Sequence, residues 1–413
     1  MKLLKFGLLI FLFIRVNSAI VAQEIEKKVV FVIVDGIAAD VLERVNTPYI
    51  DQISMDGGYA RAYLGGEKGG YSQTPTISAV GYNSLLTGTW ANKHNVWDND
   101  IEDPNYHYWT IFRLLKEQFL EKKAAVFSTW LDNRTKLIGD GLQQTGGLEM
   151  DYSFDGLELD TINFPHEDEF YIQKIDEKVT DMATSTIRED GPDLNWVYLQ
   201  YTDNTGHDHG DSPENDRAIE IIDRQVGQIY NAVKYREQLF DEKWLVFVTT
   251  DHGRKATDGK DHGGQTEREK TIWISTNSKA LNKYFYAGQP AIVDILPSIA
   301  NYMGIKISNH QKMELDGVSL LGDISVANPD AKISDNKIVV SWEAYQANET
   351  VKIWMANTNE FNTSGNKDNY KLVGEIDILE EQFAIPIKGE KGKFFKIVVE
   401  GKYNMVNRWV QRE

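Results

Sequence analysis

KVVFVIV, residues 28–34, is short, rich in β-branched residues and almost continuously apolar, and it ends on Asp35 and Gly36. A run without polar alternation suits a strand of a parallel sheet that is covered on both faces. Four further runs share its character: AAVFST (124–129), WVYLQY (196–201), WLVFVTT (244–250) and TIWIST (271–276). Helical patterns lie between them. Across residues 216–236, Ile219, Ile222, Val226, Ile229 and Val233 recur at alternating three- and four-residue steps, which makes one apolar helix face. Residues 292–302 give another helix, closed by Gly304. The expected fold is α/β, a mostly parallel central sheet with helices on both faces. Sheets of this kind collect ligands at the carboxyl ends of their strands.

After residue 320 the pattern changes. KIVVSWEA (337–344), VKIWMA (351–356), YKLVGEI (370–376), QFAIPI (382–387) and FFKIVVE (394–400) are strand-like and separated by Asn, Gly and Lys clusters. They predict a small antiparallel β-sandwich, similar to fibronectin type III modules in strand number, over residues 330–413. Residues 327–335, with Pro329, read as the boundary, which leaves 23–326 as the main domain. Trp342, Trp354 and Trp409 offer an aromatic surface for sugars, but core and interface packing is the simpler account of them.

The ends and the composition bound the setting. Residues 1–22 read as a secretory signal: Lys2 and Lys5 precede an apolar stretch over 7–14, and a small-residue exit follows near Ala19 or Ala22. That stretch is shorter than the roughly 20 apolar residues a span requires, so no stable membrane anchor is expected. Cysteine is absent, which excludes disulfides and thiolate metal sites and favours the periplasm or exterior of a bacterium over a disulfide-rich secretory route. Formal net charge is −18, and loss of Lys2, Lys5 and Arg15 with the leader would deepen it by three. Duplex nucleic acid is therefore not an expected partner. A small phosphoester remains one where bound metals reverse the local sign.

Four polar motifs carry the chemistry: Asp35; Asp203 and His207 in TDNTGH; Asp251 and His252 in TTDHG; and His262 in KDHGG. Taken singly, a strand-terminal Asp is most often a turn or cap residue, and a lone His a surface one. Together they supply three carboxylates and three imidazoles, enough for two divalent metal ions, with Zn2+ favoured by the ligand types.

In order and content these motifs resemble the alkaline phosphatase superfamily, and within it the type I phosphodiesterase and nucleotide pyrophosphatase branch. Similar segments include TPYIDQISMDGG (47–58), DRQVGQI (223–229), VDILPSIANYMGI (293–305) and DGVSLLG (316–322). The resemblance implies an alkaline phosphatase-like fold and a hydrolase of phosphate mono- or diesters. It implies one metal held by Asp203, His207 and His262, and a second held by Asp35, Asp251 and His252, with a hydroxyl between them. PTISAVGYNSLLTG (75–88) matches the family's nucleophile segment with Ser78 in the reactive position; Thr76 and Ser84 are the competing hydroxyls. Without the metal motifs, Ser78 would read simply as an N-cap.

The family's diesterase branch usually carries Asn three residues after the nucleophile, where this chain has Gly81. HNVWDN (94–99) resembles another family turn and makes Asn99 the candidate substrate-binding amide, while Lys93, Arg134 and Lys136 are candidate anion contacts. Gly81 moves weight toward an alkaline phosphomonoesterase. A sulfatase of this fold needs Pro and Arg after its nucleophile, and Ser78 is followed by Ala79-Val80-Gly81-Tyr82. A binding protein that uses its C-terminal sandwich is the non-enzymatic rival. Oligomeric state is not legible.

Overall fold

The structure is a computed structural model that describes residues 25–389 and 392–412; the leader expected at 1–22 lies outside them. The opening stretch forms β1 (Glu26–Val34). It lies at the middle of a seven-stranded sheet whose other members are β2 (Gly58–Tyr63), β3 (Ala124–Ser128), β4 (Tyr152–Phe154), β5 (Leu194–Leu199), β6 (Glu242–Thr249) and β7 (Thr271–Thr276), in the order β2-β7-β6-β1-β5-β3-β4. β1 pairs in parallel with both β5 and β6, Val32 opposite Val197 on one side and Val248 on the other. Alternate residues of β1 enter different cores. Val29, Phe31 and Ile33 face the side covered by Ser78–Thr87 and Ile295–Met303, whereas Val30, Val32 and Val34 face the side covered by Tyr171–Glu189 and Pro213–Leu239. Burial on both faces is why the strand has no polar alternation.

Three sequence expectations are corrected. β7 runs antiparallel to β6, and β2 antiparallel to β7; a run covered on both faces is equally apolar in either direction. The third strand ends at Leu199, and Tyr201 opens a helix, Tyr201–His209, so Asp203 and His207 are helical residues. The boundary read at 327–335 belongs to a strand, β8 (Val326–Ser334), whose pairing shifts register between Ala327 and Asp330 around Pro329. A bulge accommodates the proline that cannot donate to the ladder.

β8 pairs with β9 (Lys337–Ala344), and β9 with β12 (Gln382–Pro386). β10 (Thr350–Ala356), β11 (Lys371–Asp377), β13 (Phe394–Glu400) and β14 (Met405–Gln411) make a second antiparallel sheet in the order β11-β10-β13-β14. Trp342 and Trp409 are buried, as packing aromatics. Trp342 Nε1 donates to the Ile378 carbonyl, and Trp409 stacks on Tyr71 of the main domain. Among the described residues no helix is long and apolar enough to cross a membrane.

Candidate active site

The carboxyl ends of β1, β5 and β6 lie side by side, and their next residues meet. Asp35 follows β1; its backbone N–H still donates to Leu199 O, and Gly36 turns the chain with φ +68°. Asp35 Oδ2 accepts from Tyr198 Oη at 2.6 Å and from Tyr82 Oη, so Oδ1 is the oxygen left to face the site. Both phenols are held protonated, pushed well up by burial and by the Asp35 charge. After β6, Asp251 and His252 are fully buried. Asp251 Oδ1 accepts from Gly36 N at 3.1 Å, and a Cβ on Gly253 would lie 1.9 Å from Arg268 O, so only glycine allows this turn.

Asp203 and His207 stand four residues apart on one helix face, their Oδ2 and Nε2 3.4 Å apart. The helix start is fixed by Asp176, whose carboxylate accepts from the backbone of Gln200 and Tyr201. His262 comes from a loop tied to the nucleophile segment: its Nδ1 is 2.8 Å from Thr76 O, and Gly263 N donates to Thr76 Oγ1. Because a carbonyl can only accept, Nδ1 of His262 carries a proton, and Nε2 is the nitrogen left to face the site. The same holds for His252, with Nδ1 2.9 Å from Gly253 O.

His207 Nε2 and His262 Nε2 are 3.1 Å apart, and His262 Nε2 is 3.8 Å from Asp203 Oδ1. His252 Nε2 is 3.3 Å from Asp35 Oδ1, 3.4 Å from Asp251 Oδ2 and 3.8 Å from Asp203 Oδ1. Donor atoms thus gather in two groups, Asp203/His207/His262 and Asp35/Asp203/His252, with Asp203 in both and Asp251 against the second. Asp35 Oδ1 and Asp251 Oδ2 are buried with no hydrogen-bond partner. Unpaired buried carboxylate oxygens are costly without a cation. The separations also bracket the edge, about 3.3 Å, of a tetrahedron of ligands 2.0–2.1 Å from zinc, so the donor set fits such ions.

The charges are strongly coupled. Burial, then the neighbouring Asp35, pushes the Asp251 carboxyl well up. Burial would also raise Asp203, but the His207 hydrogen bond and the Arg254 charge carry it well below the ordinary carboxylate range. The same hydrogen bond raises His207, whereas burial, then the nearby His252, lowers His262 to about 4 and favours the neutral imidazole a metal needs.

Ser78 is the first residue of the helix Ser78–Thr87; Ile77 is the cap and makes no side-chain cap bond. Ser78 Oγ lies 3.4 Å from His252 Nε2. The other two hydroxyls face elsewhere: Thr76 Oγ1 bonds Gly264 O, and Ser84 Oγ bonds Val80 O beside His94. Asn99 reaches this helix start, its Oδ1 accepting from Ala79 N at 3.0 Å. A Cβ on Gly81 would lie 2.8 Å from Asp251 O, so the helix approaches β6 only because that residue is glycine. Lys93 is fully buried against Glu314, Asp316 and Asn407, and Arg134 is paired with Asp155 and Asp140. Lys136 is half-exposed beside Asp132. Sequence reading missed Tyr82 and Tyr198, hidden within apolar runs, and Arg254, whose one signal is that it directly follows Asp251-His252-Gly253.

The profile of the type I phosphodiesterase / nucleotide pyrophosphatase family matches residues 29–316. No match was found among curated proteins. Among solved structures, the phosphonate monoester hydrolase of Agrobacterium radiobacter is similar with a TM-score of 0.51 at 14% identity, over 93% of this chain and 89% of that one. Ps i-CgsB in complex with k-i-k-neocarrahexaose gives 0.50 at 15% identity, over 78% and 85%. Human ectonucleotide pyrophosphatase / phosphodiesterase 5 gives 0.48 at 14%, over 68% and 96%. At such identities the first two likenesses are of fold alone.

Proposed function

Because the chain belongs to the type I phosphodiesterase / nucleotide pyrophosphatase family, and is thus a metal-dependent phosphoric ester hydrolase, we propose that it cleaves a small phosphoester through a phosphoseryl intermediate on Ser78. Two divalent ions, Zn2+ by ligand type, would be held by Asp203, His207 and His262 and by Asp35, Asp251 and His252, and Ser78 would be a further ligand. One observation carries this reading: His252 Nε2 has Asp35 Oδ1, Asp251 Oδ2 and Ser78 Oγ at 3.3, 3.4 and 3.4 Å. Those separations are close to the edge of a zinc tetrahedron, which supports Ser78 as a further ligand beside Asp35, Asp251 and His252.

Bound ions supply the Lewis acidity that favours ionisation of a serine hydroxyl and offsets phosphoryl charge. Ser78 Oγ passes its proton to solvent and attacks phosphorus in line. The new O–P bond forms as the bond to the ester's leaving oxygen breaks, and that oxygen takes a proton from water. The positive end of the helix Ser78–Thr87 would favour the phosphoryl group, and Asn99, whose Oδ1 accepts from Ala79 N, would offer its amide N–H groups to a phosphoryl oxygen. Water then attacks the phosphoserine, releases the phosphorylated product and restores the hydroxyl. The chain up to the strand Val326–Ser334 is the catalytic domain in this reading, and the C-terminal sheets are a fibronectin type III-like module. The leader at 1–22 sends the chain to a bacterial periplasm or exterior.

Monoester hydrolysis is the second reading, favoured by Gly81, whose place offers no amide to a non-reacting oxygen. Zn-loaded protein assayed on p-nitrophenyl phosphate, its bis-ester and a nucleotide diester separates the two. A diester preference above about tenfold, or roughly 1.4 kcal/mol of transition-state stabilisation, is expected; the reverse ranking selects the phosphomonoesterase. No turnover on any of them, with two ions bound, removes both.

A further inference from the structure

Arg254 is almost wholly buried, 1% exposed, in a site that otherwise gathers three carboxylates. Its guanidinium makes four hydrogen bonds: Nε donates to Gly36 O at 2.8 Å, Nη1 to Lys260 O at 2.7 Å, and Nη2 to Asp203 O at 3.0 Å and Asp203 Oδ1 at 2.6 Å. Those acceptors belong to three segments. Gly36 follows Asp35, Asp203 is on the helix with His207, and Lys260 lies two residues before His262. With His252 two residues behind it in the chain, Arg254 touches or adjoins every segment that brings a metal-type donor to the site.

The backbone is shaped to admit it. A Cβ on Gly36 would stand 2.5 Å from Arg254 Nη2, and one on Gly206 would stand 2.3 Å from Arg254 Cζ. Two glycines that look like turn residues in the sequence are therefore clearances for one side chain. Removing a guanidinium from water is costly unless its N–H groups find acceptors. The planar fork of arginine meets three acceptor directions at once, which the point charge of lysine cannot reproduce. Because Oδ1 of Asp203 carries the charge-assisted bond, Oδ2 is the oxygen turned to His207 Nε2 at 3.4 Å.

We propose that Arg254 is a positioning residue that sets the orientation of the Asp203 carboxylate, so that cation affinity at the Asp203/His207/His262 cluster depends on it more than the fold does. The inference rests on the two-metal reading above. Groups that orient metal ligands from behind typically change affinity by about 10- to 100-fold when altered.

The test uses the full chain stripped of metal and titrated calorimetrically with Zn2+, as wild type, Arg254→Lys and Arg254→Met, with metal-free thermal unfolding measured in parallel. Wild type should bind two equivalents. Arg254→Lys should bind one within about twofold of wild type and the other about 10- to 100-fold more weakly, with a melting temperature that stays close to wild type. On a His207→Ala background, which removes the affected cluster, Arg254→Lys should change the remaining site by less than about twofold. Two equivalents bound alike by all three proteins would overturn the Arg254 assignment alone. So would equal weakening of both sites in step with a fall in melting temperature. Wild-type protein that binds fewer than two equivalents would overturn the two-metal reading, and this inference with it.

Discussion

Ser78 begins its helix one position inside the cap, and that single step decides what its hydroxyl does. A cap hydroxyl is tied to a backbone amide two or three residues on, whereas Ser78 Oγ points to His252 Nε2. Ser78→Ala should lower turnover on the order of a thousandfold or more, while Zn2+ content by elemental analysis and the melting temperature stay as in wild type; retention of most of the activity would move the nucleophile elsewhere. The position was legible because its neighbours Pro75, Thr76 and the Thr87-Gly88 ending match a family segment. Gly81 was legible only as a missing Asn. Its physical reason is the Asp251 backbone 2.8 Å from any Cβ placed there, a contact between residues 170 positions apart that no local pattern encodes. The Tyr82 and Tyr198 phenols that hold Asp35 were unreadable for a similar cause, since each sits in an apolar run whose pattern does not say where an OH ends.

Elements were read best where burial leaves one solution. β1 is apolar on both faces and is legible to within two residues, whereas β7 gives no sign of its direction and the strand-like run at 196–201 extends into the first residue of the helix Tyr201–His209. That helix is set by Asp176, 25 residues before Tyr201, through the N–H groups of Gln200 and Tyr201 and the hydroxyl of Thr129. Burial outweighs these three donors and pushes the Asp176 carboxyl up to about 7. An unfolded Asp titrates near about 3.9, so the unfolded chain loses this proton first as pH rises. The stability that the protonated group contributes is complete below pH ~4 and is lost progressively up to pH ~7. Asp176→Asn cannot ionise, and the difference in unfolding free energy between the two proteins should tilt against wild type over that window, by at most roughly 1.4 kcal/mol per pH unit. Denaturant titrations at four pH values check it; a difference that does not vary with pH would mean that the donors hold the carboxylate ionised throughout.

Across the whole molecule, the main domain and the C-terminal sheets are joined by a buried ionic network rather than a loose linker. Lys93 Nζ bonds Glu314 O, Asp316 Oδ1 and Asn407 Oδ1 at 2.7, 2.6 and 2.8 Å, and Lys396 Nζ bonds Glu314 Oε1 and Asp368 Oδ2 at 2.9 and 2.7 Å. Trp409 lies under both ammonium groups, 5.2 and 4.7 Å from its ring centre. The segment between these lysines also returns to the nucleophile helix, because Asp316 N and Gly317 N both donate to Gly88 O. Lys396 is wholly buried, so Lys396→Met would leave Glu314 and Asp368 as uncompensated buried charges, a loss of about 3–5 kcal/mol. Because the network spans both parts, wild type should unfold in one cooperative calorimetric transition, and Lys396→Met should separate it into two, with the C-terminal sheets melting first. Two transitions in wild type would show that the parts unfold independently, and a single unshifted one in the variant would show that they are coupled by the apolar contacts around Trp409 and Tyr71 and not by the buried charges.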